Sequence, residues 1–247
     1  MTEPIHEKPS PDELDGLESE TGDPEKPYMA SMGIYVFNRG LLVRMLTGDG
    51  GHDFGKHIIP KAINNLKVKG YLYDGYWEDI GTIKSFFNAS LALTDEVPVF
   101  DLYQRDKPIY TRPRYLPASK INGCMVKRSM ICEGCFIGNG EIDRTIVGIR
   151  SRIGENVRIS DTIVMGADYY QTLKEIRQSE QAGSPLVGIG RNVEIRNAII
   201  DKNACIGDNV RLVNESGVEE GTYDGFEVRE GIIVVYKNAI VSGGTVF

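Results

Sequence analysis

Histidine is scarce in this chain of 247 residues: there are three, His6, His52 and His57, and none beyond residue 57. Any proton transfer later in the chain must therefore proceed without an imidazole base. Cysteine is also sparse. Four residues (Cys124, Cys132, Cys135, Cys205) in a chain this long do not make a disulfide scaffold. Cys132-Glu-Gly-Cys135 has metal or redox spacing, but it lacks the second pair of a zinc ribbon and the βαβ setting of a thioredoxin-like site, so small buried thiols are expected. No apolar run approaches the ~20 residues needed to cross a bilayer, and no charged-then-apolar leader is seen, which predicts neither a membrane protein nor an exported one. An excess of positive charge is missing too. The formal net charge is −7, and residues 1–29 account for it, with nine acidic side chains against Lys8 and Lys26. A neutral remainder argues against nucleic-acid binding, which relies on a basic face to displace counterions. An anionic ligand would have to be held by a few placed cations.

What is present is an ordinary globular composition, 41% apolar and 26% charged, with length for one large domain or two smaller ones. Ser10-Pro11-Asp12-Glu13 reads as a capping box opening a short acidic helix to about Glu18. Met29 to Phe37 reads as a buried strand, followed by Leu41, Leu42, Met45 and Leu46 on one helical face that stops at Gly48. Tyr71 to Tyr76 is a second strand candidate. Ile83, Phe86, Phe87 and Leu91 recur at helical spacing behind Thr82, a suitable N-cap. Residues 96–120 change character, with Pro98, Pro108, Pro113 and Pro117 spacing out Arg105, Lys107, Arg112, Arg114 and Lys120. Proline at that density predicts an extended basic connector.

Beyond it the chain repeats. Ile137-Gly138, Ile153-Gly154-Glu-Asn-Val157, Ile189-Gly190-Arg-Asn-Val193 and Ile206-Gly207-Asp-Asn-Val210 start 16, 36 and 17 residues apart. These intervals fit one and two turns of three six-residue sides, the hexapeptide signature of a parallel β-helix. In that fold the aliphatics point inward, while Gly and Asn take corners where φ is often positive. Tyr169, Leu173 and Ile176 mark a helical insertion closed by Gly183 and Pro185. A left-handed β-helix first suggests acyl transfer, but the coils hold no histidine, so an assembly or regulatory role is expected of them.

The first third holds different chemistry. Glu7-Lys8-Pro9 sets a carboxylate and an ammonium side by side, suited to a sugar hydroxyl and a phosphate, though a solvated surface pair is the simpler reading. Tyr76-Trp77-Glu78-Asp79-Ile80-Gly81-Thr82 puts acidic groups beside the single Trp and just before a helix N-terminus, where hard cations and phosphates are accommodated. The plainer alternative is that Asp79 caps the helix and Trp77 fills the core.

Together with Ala30-Ser-Met-Gly-Ile-Tyr35-Val-Phe, Asp53-Phe-Gly, Ile146 to Gly154, Met165-Gly-Ala-Asp-Tyr-Tyr170, Ile200-Asp-Lys-Asn-Ala204 and Gly231 to Asn238, these motifs resemble the ADP-glucose pyrophosphorylases. Ile146 to Gly154, Met165 to Tyr170, Ile200 to Ala204 and the ending Gly231 to Asn238 resemble the plant and cyanobacterial branch. The resemblance implies an α/β nucleotidyltransferase portion over 1–95, a Pro-rich linker over 96–120 and a left-handed β-helix of hexapeptide repeats over 121–247. It implies the reaction of ATP with glucose 1-phosphate to ADP-glucose and pyrophosphate, with Mg²⁺ as cofactor. Lys8 and Asp79 would be catalytic, with Asp79 on the metal. Glu7, Lys8, Ser31, Tyr35, Asp53, Phe54 and Trp77 would bind the sugar phosphate. Arg114, Lys202 and Lys237 would bind the effectors 3-phosphoglycerate and phosphate. A homo- or hetero-oligomer, a tetramer in the family, is implied, in a bacterial cytoplasm or a plastid stroma. Its front end departs from the family: nothing in residues 1–247 resembles the Gly-rich loop that cradles the ATP phosphates. A C-terminal portion, inactive alone, is therefore expected, or else a non-catalytic regulatory or assembly subunit paired with full-length partners. Chemistry on another sugar phosphate, mannose or N-acetylglucosamine, is a third reading that the Met165 to Tyr170 motif disfavours.

Overall fold

The computed structural model describes residues 28–48, 51 and 53–247. The chain separates into two compact units that divide between Trp77 and Glu78. The acidic helix expected at Ser10 to Glu18 lies outside the described residues, as do Glu7 and Lys8.

In the first unit α1 (Arg39–Thr47) starts where the Asn38 side chain accepts from the Gly40 N–H and ends at Gly48. A π-turn over Phe54–Ile58 leads directly into α2 (Ile59–Asn65). The expected apolar face is real: Met45, Ile58 and Ala62 are buried, with Phe37, Leu41, Leu46 and Leu66 packed on them. The two strand expectations fail. Residues 28–38 and 71–76 form no strand among the described residues, and Val36 is 98% and Tyr71 86% exposed. An apolar run becomes a buried strand only when neighbouring strands take up its backbone groups and side chains, and no described segment pairs with either run.

In the second unit residues 93–119 contain neither helix nor strand, and Arg105, Lys107, Arg112 and Arg114 are exposed along them. The parallel β-helix follows. One sheet stacks the short strands at Lys120–Ile121, Phe136–Ile137, Arg152–Ile153, Gly188–Ile189, Cys205–Ile206 and Ile240–Val241, each parallel to the next. The other is built around Gly140–Val147, Val157–Val164 and Glu194–Ile200, with Ile232–Val235 beyond. Register places like on like: Ile142, Ile159, Ile195 and Leu212 form one inward column with exposures of 0, 1, 1 and 0%. The repeat isoleucines Ile137, Ile153, Ile189 and Ile206 form another, capped by Val241. Burying four aliphatic side chains in one column and five in the other, at roughly 1.5–3 kcal/mol each, is what holds coils with so few hydrogen-bonded residues apiece.

The corners divide the work between two residue types. Asn156, Asn192 and Asn209 take φ of 55°, 55° and 60°, and their side chains join in a ladder, Asn156 Nδ2 to Asn192 Oδ1 and Asn192 Nδ2 to Asn209 Oδ1, both 3.0 Å. The repeat glycines Gly138, Gly154, Gly190 and Gly207 do not have positive φ, contrary to the expectation that φ would explain them. Their reason is proximity. A Cβ on Gly138 would overlap the carbonyl of Gly154, and one on Gly154 that of Gly190, so only glycine lets successive coils approach this closely.

Two helices decorate the solenoid. α3 (Ile83–Ala92) has a complete capping box, with Thr82 accepting from the Ser85 N–H and Ser85 accepting from the Thr82 N–H. Its Phe87 and Leu91 cover Ile163, Ile199 and Ile232, the outward residues of three neighbouring strands, and the Lys84 N–H reaches Glu230 Oε2 at 3.2 Å. α4 (Leu173–Ala182) has the same capping box at Thr172 and Glu175 and ends on Gly183 in the left-handed region, φ 66°. None of its residues is buried.

The four cysteines are free, Cys135 buried and the others partly so. Burial pushes each thiol upward, with Glu141 adding to the rise at Cys124. Titration of the folded chain with a thiol reagent near neutral pH is therefore expected to be slow for all four, and prompt after unfolding in guanidinium. A thiol that reacts at once in the folded chain would contradict this.

Candidate functional site

Two groups of side chains have the makings of sites, one in each unit. In the first unit a tight loop brings Ser31 and Tyr35 together: Ser31 Oγ and the Tyr35 hydroxyl are 3.0 Å apart, and the Gly33 N–H donates to Ser31 Oγ at 3.2 Å. Gly33 turns the chain there with φ 69°, a left-handed conformation that favours glycine. The Tyr35 ring lies nearly parallel to Phe54, centroids 6.1 Å apart, and Phe37 packs edgewise on Phe54 at 6.0 Å. Phe54 is held by the π-turn that Asp53 caps, Asp53 Oδ1 accepting from the Lys56 N–H at 2.9 Å. That hydrogen bond, aided by the Lys56 charge, keeps the Asp53 carboxyl below its ordinary range despite some opposing desolvation, so it is ionised at neutral pH. The assembly is an aromatic platform with two hydroxyls and a carboxylate at its margin. Such groups can stack on the apolar face of a sugar and satisfy its hydroxyls.

Three of the sugar-site residues expected from the sequence, Ser31, Tyr35 and Phe54, thus meet, and Asp53 precedes Phe54 with its carboxylate turned to the Lys56 N–H. Trp77 is 43% exposed and fills no core, and no hydrogen bond or ring contact joins it to this cluster among the described residues. Asp79, in the second unit, is exposed, and its Oδ1 accepts from the Gly81 N–H at 3.1 Å. It does not cap α3, because Thr82 does. No cluster of three or more His, Cys, Asp or Glu side chains suited to a metal occurs among the described residues. One open carboxylate can supply a single ligand to a divalent cation that keeps several waters.

The second group sits at one corner of the β-helix. Lys202 and Lys237 both point at Asp168: Lys202 Nζ donates to Oδ1 at 3.0 Å and Lys237 Nζ lies 3.5 Å from Oδ2. Asn203 fixes the residue twice, accepting from the Asp168 N–H at 2.8 Å and donating to Oδ2 at 3.1 Å. Asn203 in turn donates to Asn238 Oδ1 at 3.1 Å. The Lys202 and Asn203 hydrogen bonds hold the Asp168 carboxyl below its ordinary range. Arg150 extends the basic surface, donating to the Ala167 carbonyl at 3.4 Å with its guanidinium 5.8 Å from the centre of the Tyr170 ring. Tyr170 donates to the Gly134 carbonyl at 2.9 Å, and the Gly134 N–H donates to the Pro117 carbonyl at 2.9 Å. The chain bearing Arg114 is therefore anchored three residues away, at Pro117. Arg114 itself donates to the Arg112 carbonyl at 2.6 Å and is not among the groups that meet at Asp168.

Lys202 and Lys237 were expected from the sequence; Asp168, Asn203, Asn238 and Arg150 were not. The signal was there. Lys202-Asn203-Ala204 and Lys237-Asn238-Ala239 repeat the same tripeptide 35 residues apart, the offset by which Cys205 pairs with Ile240 in successive coils. Each Asn turns its corner with positive φ, 61° and 60°, and the preceding lysines are thereby stacked in one column.

The family model for GLGC left-handed parallel β-helix domains matches residues 114–246, and that for nucleotidyl transferases matches residues 2–96. The small subunit of glucose-1-phosphate adenylyltransferase of Triticum aestivum, described as chloroplastic/amyloplastic, is 47% identical over 228 residues, 90% of this chain. The chain belongs to the ADP-glucose pyrophosphorylase family. The solenoid is accordingly the left-handed β-helix of an ADP-glucose pyrophosphorylase, preceded by a nucleotidyltransferase segment. The chain spans 48% of the length of the wheat protein. Nucleotidyltransferases of this kind generally use a divalent metal, and no helix among the described residues of this family member is long and apolar enough to cross a membrane.

Proposed function

We propose that this chain provides the glucose 1-phosphate side and the regulatory β-helix of a glucose-1-phosphate adenylyltransferase and is inactive by itself. The observation that carries the reading is the Ser31–Tyr35 hydroxyl pair on the Tyr35–Phe54 stack, with Asp53 beside it. In the reaction a phosphate oxygen of glucose 1-phosphate attacks the α-phosphorus of ATP and pyrophosphate leaves. Phe54 and Tyr35 would orient the sugar, and the Ser31 and Tyr35 hydroxyls would exchange their mutual hydrogen bond for bonds to sugar hydroxyls. Glu7 and Lys8, which lie outside the described residues, would hold the glucose and its phosphate. Asp79 would hold Mg²⁺, which supplies charge neutralisation on the transferring phosphoryl group. Most of the rate would come from positioning and charge, so residues that fix the two phosphates matter more than any acid or base. A plastid stroma or a bacterial cytoplasm would suit such an enzyme.

Titration calorimetry of glucose 1-phosphate into the folded chain tests this. Measurable binding is expected, weakened about tenfold in Tyr35→Ala, which removes both the ring and a hydroxyl. Equal binding by the variant, or tighter binding of mannose 1-phosphate, would sink the glucose assignment.

A second reading, a regulatory or assembly subunit that works through phosphorylated effectors and full-length partners in a tetramer, is favoured by the paired lysines of the β-helix. Lys202, Lys237 and, from its linker, Arg114 would collect 3-phosphoglycerate or phosphate, as three placed cations on an otherwise neutral body should. Pyrophosphate release measured with and without an added full-length partner separates the two readings. Turnover that depends on the partner and is raised by 3-phosphoglycerate supports the regulatory role; turnover by the chain alone would refute both.

A further inference from the structure

Three side chains at the basic corner of the β-helix, Lys202, Lys237 and Asn203, are directed at one carboxylate. Both Lys202 and Lys237 spend their charge on Asp168, one on each oxygen, while Asn203 grips the same residue through its backbone N–H and through Oδ2. Asp168 is thus held where two ammonium groups converge, which is the position an anionic ligand of those lysines would take. Its side chain and both lysines are substantially open to solvent, 42%, 38% and 52% exposed. Exposed pairs of this kind are weak and readily exchanged. A carboxylate buried with its cations would be a fixed structural bridge; this one is within reach of an incoming anion.

We infer that Asp168 is a built-in surrogate ligand: it occupies the Lys202–Lys237 site when no phosphorylated effector is bound and must swing away when one binds. The inference rests on the reading of these lysines as anion ligands. It gives that site a threshold. An effector must offer more than a single carboxylate does, which selects doubly charged, multi-oxygen groups such as phosphate monoesters over simple carboxylates. Asn203 sets the resting position, because its amide holds both the Asp168 backbone N–H and Oδ2 without adding charge. The Arg150 guanidinium, hydrogen-bonded to the carbonyl just before Asp168, stands ready as a further donor.

The test is calorimetric titration of inorganic phosphate into the full chain at fixed ionic strength, on the parent, Asp168→Asn and the double variant Lys202→Ala with Lys237→Ala, each shown by circular dichroism to melt as the parent does. Removing the internal competitor is expected to tighten phosphate binding by about fivefold, the scale of two exposed ion pairs. Removing the lysines is expected to weaken it by at least about tenfold. If Asp168→Asn binds no better than the parent while the lysine variant binds worse, Asp168 merely orients the lysines; the surrogate role is then overturned and the anion site stands. If the lysine variant binds as the parent does, or if even Asp168→Asn shows no binding, the anion-site reading fails and takes the inference with it.

Discussion

Replacing Ile195 by alanine is expected to destabilise the β-helix by about 3–4 kcal/mol, in the middle of the range for large-to-small core substitutions. Ile195 is 1% exposed and stands in the middle of the Ile142–Ile159–Ile195–Leu212 column, with a coil above and a coil below. A solenoid core is stacked nearest-neighbour on nearest-neighbour, so the cavity would strip contacts from both adjacent coils, and the hydrogen-bonded ladders on either side oppose collapse into it. Leu173→Ala is the control. Leu173 begins α4 and is 74% exposed, so its loss should shift stability by no more than about 0.5 kcal/mol. Guanidinium unfolding followed by far-ultraviolet circular dichroism gives both values. Similar midpoints for the two variants would mean that the inward column does not exist as described.

Asp79→Asn is expected to cut metal-dependent turnover in the reconstituted enzyme by roughly 10²–10³-fold, the loss of several kcal/mol of charge stabilisation around a phosphoryl group. Stability should be untouched. Asparagine retains an oxygen able to accept from the Gly81 N–H, the one hydrogen bond that Asp79 makes among the described residues, and α3 keeps its own cap at Thr82. The pair of measurements is diagnostic because the two roles separate: a turn-forming residue would be replaced by asparagine without loss of rate, whereas a metal ligand would not. Turnover within a factor of about three of the parent would remove Asp79 from the metal site, since one good charge-assisted contact alone is worth more. The reduced turnover should also need more Mg²⁺ to saturate.

What is legible in the sequence and what is not follows the range of the interactions. Ile-Gly-x-Asn-Val announced the β-helix because each coil repeats the same local problem: an inward aliphatic, a glycine where backbones nearly touch and an asparagine at a left-handed corner. The helices at Arg39–Thr47, Ile83–Ala92 and Leu173–Ala182 were equally visible, since caps and periodicity act within a few residues. Met29 to Phe37 misled, because apolar content alone does not make a strand and no partner strand pairs with it among the described residues. The candidate sugar-site residues are implied by resemblance alone, and chain order does not say that the Ser31 and Tyr35 hydroxyls meet beside Phe54.

By itself, then, the sequence determined the solenoid, its inward columns, its helical insertion and the family to which both segments belong, because these depend on short-range pattern repeated along the chain. Only the tertiary structure decided that Lys202 and Lys237, 35 residues apart, converge on Asp168, and that α3 is seated on Ile163, Ile199 and Ile232. The physical reason is that an ion pair or a packed face is fixed by distance in space. In a β-helix that distance is set by how many residues each coil spends before returning to the same corner, and only the folded coils reveal that count for every turn.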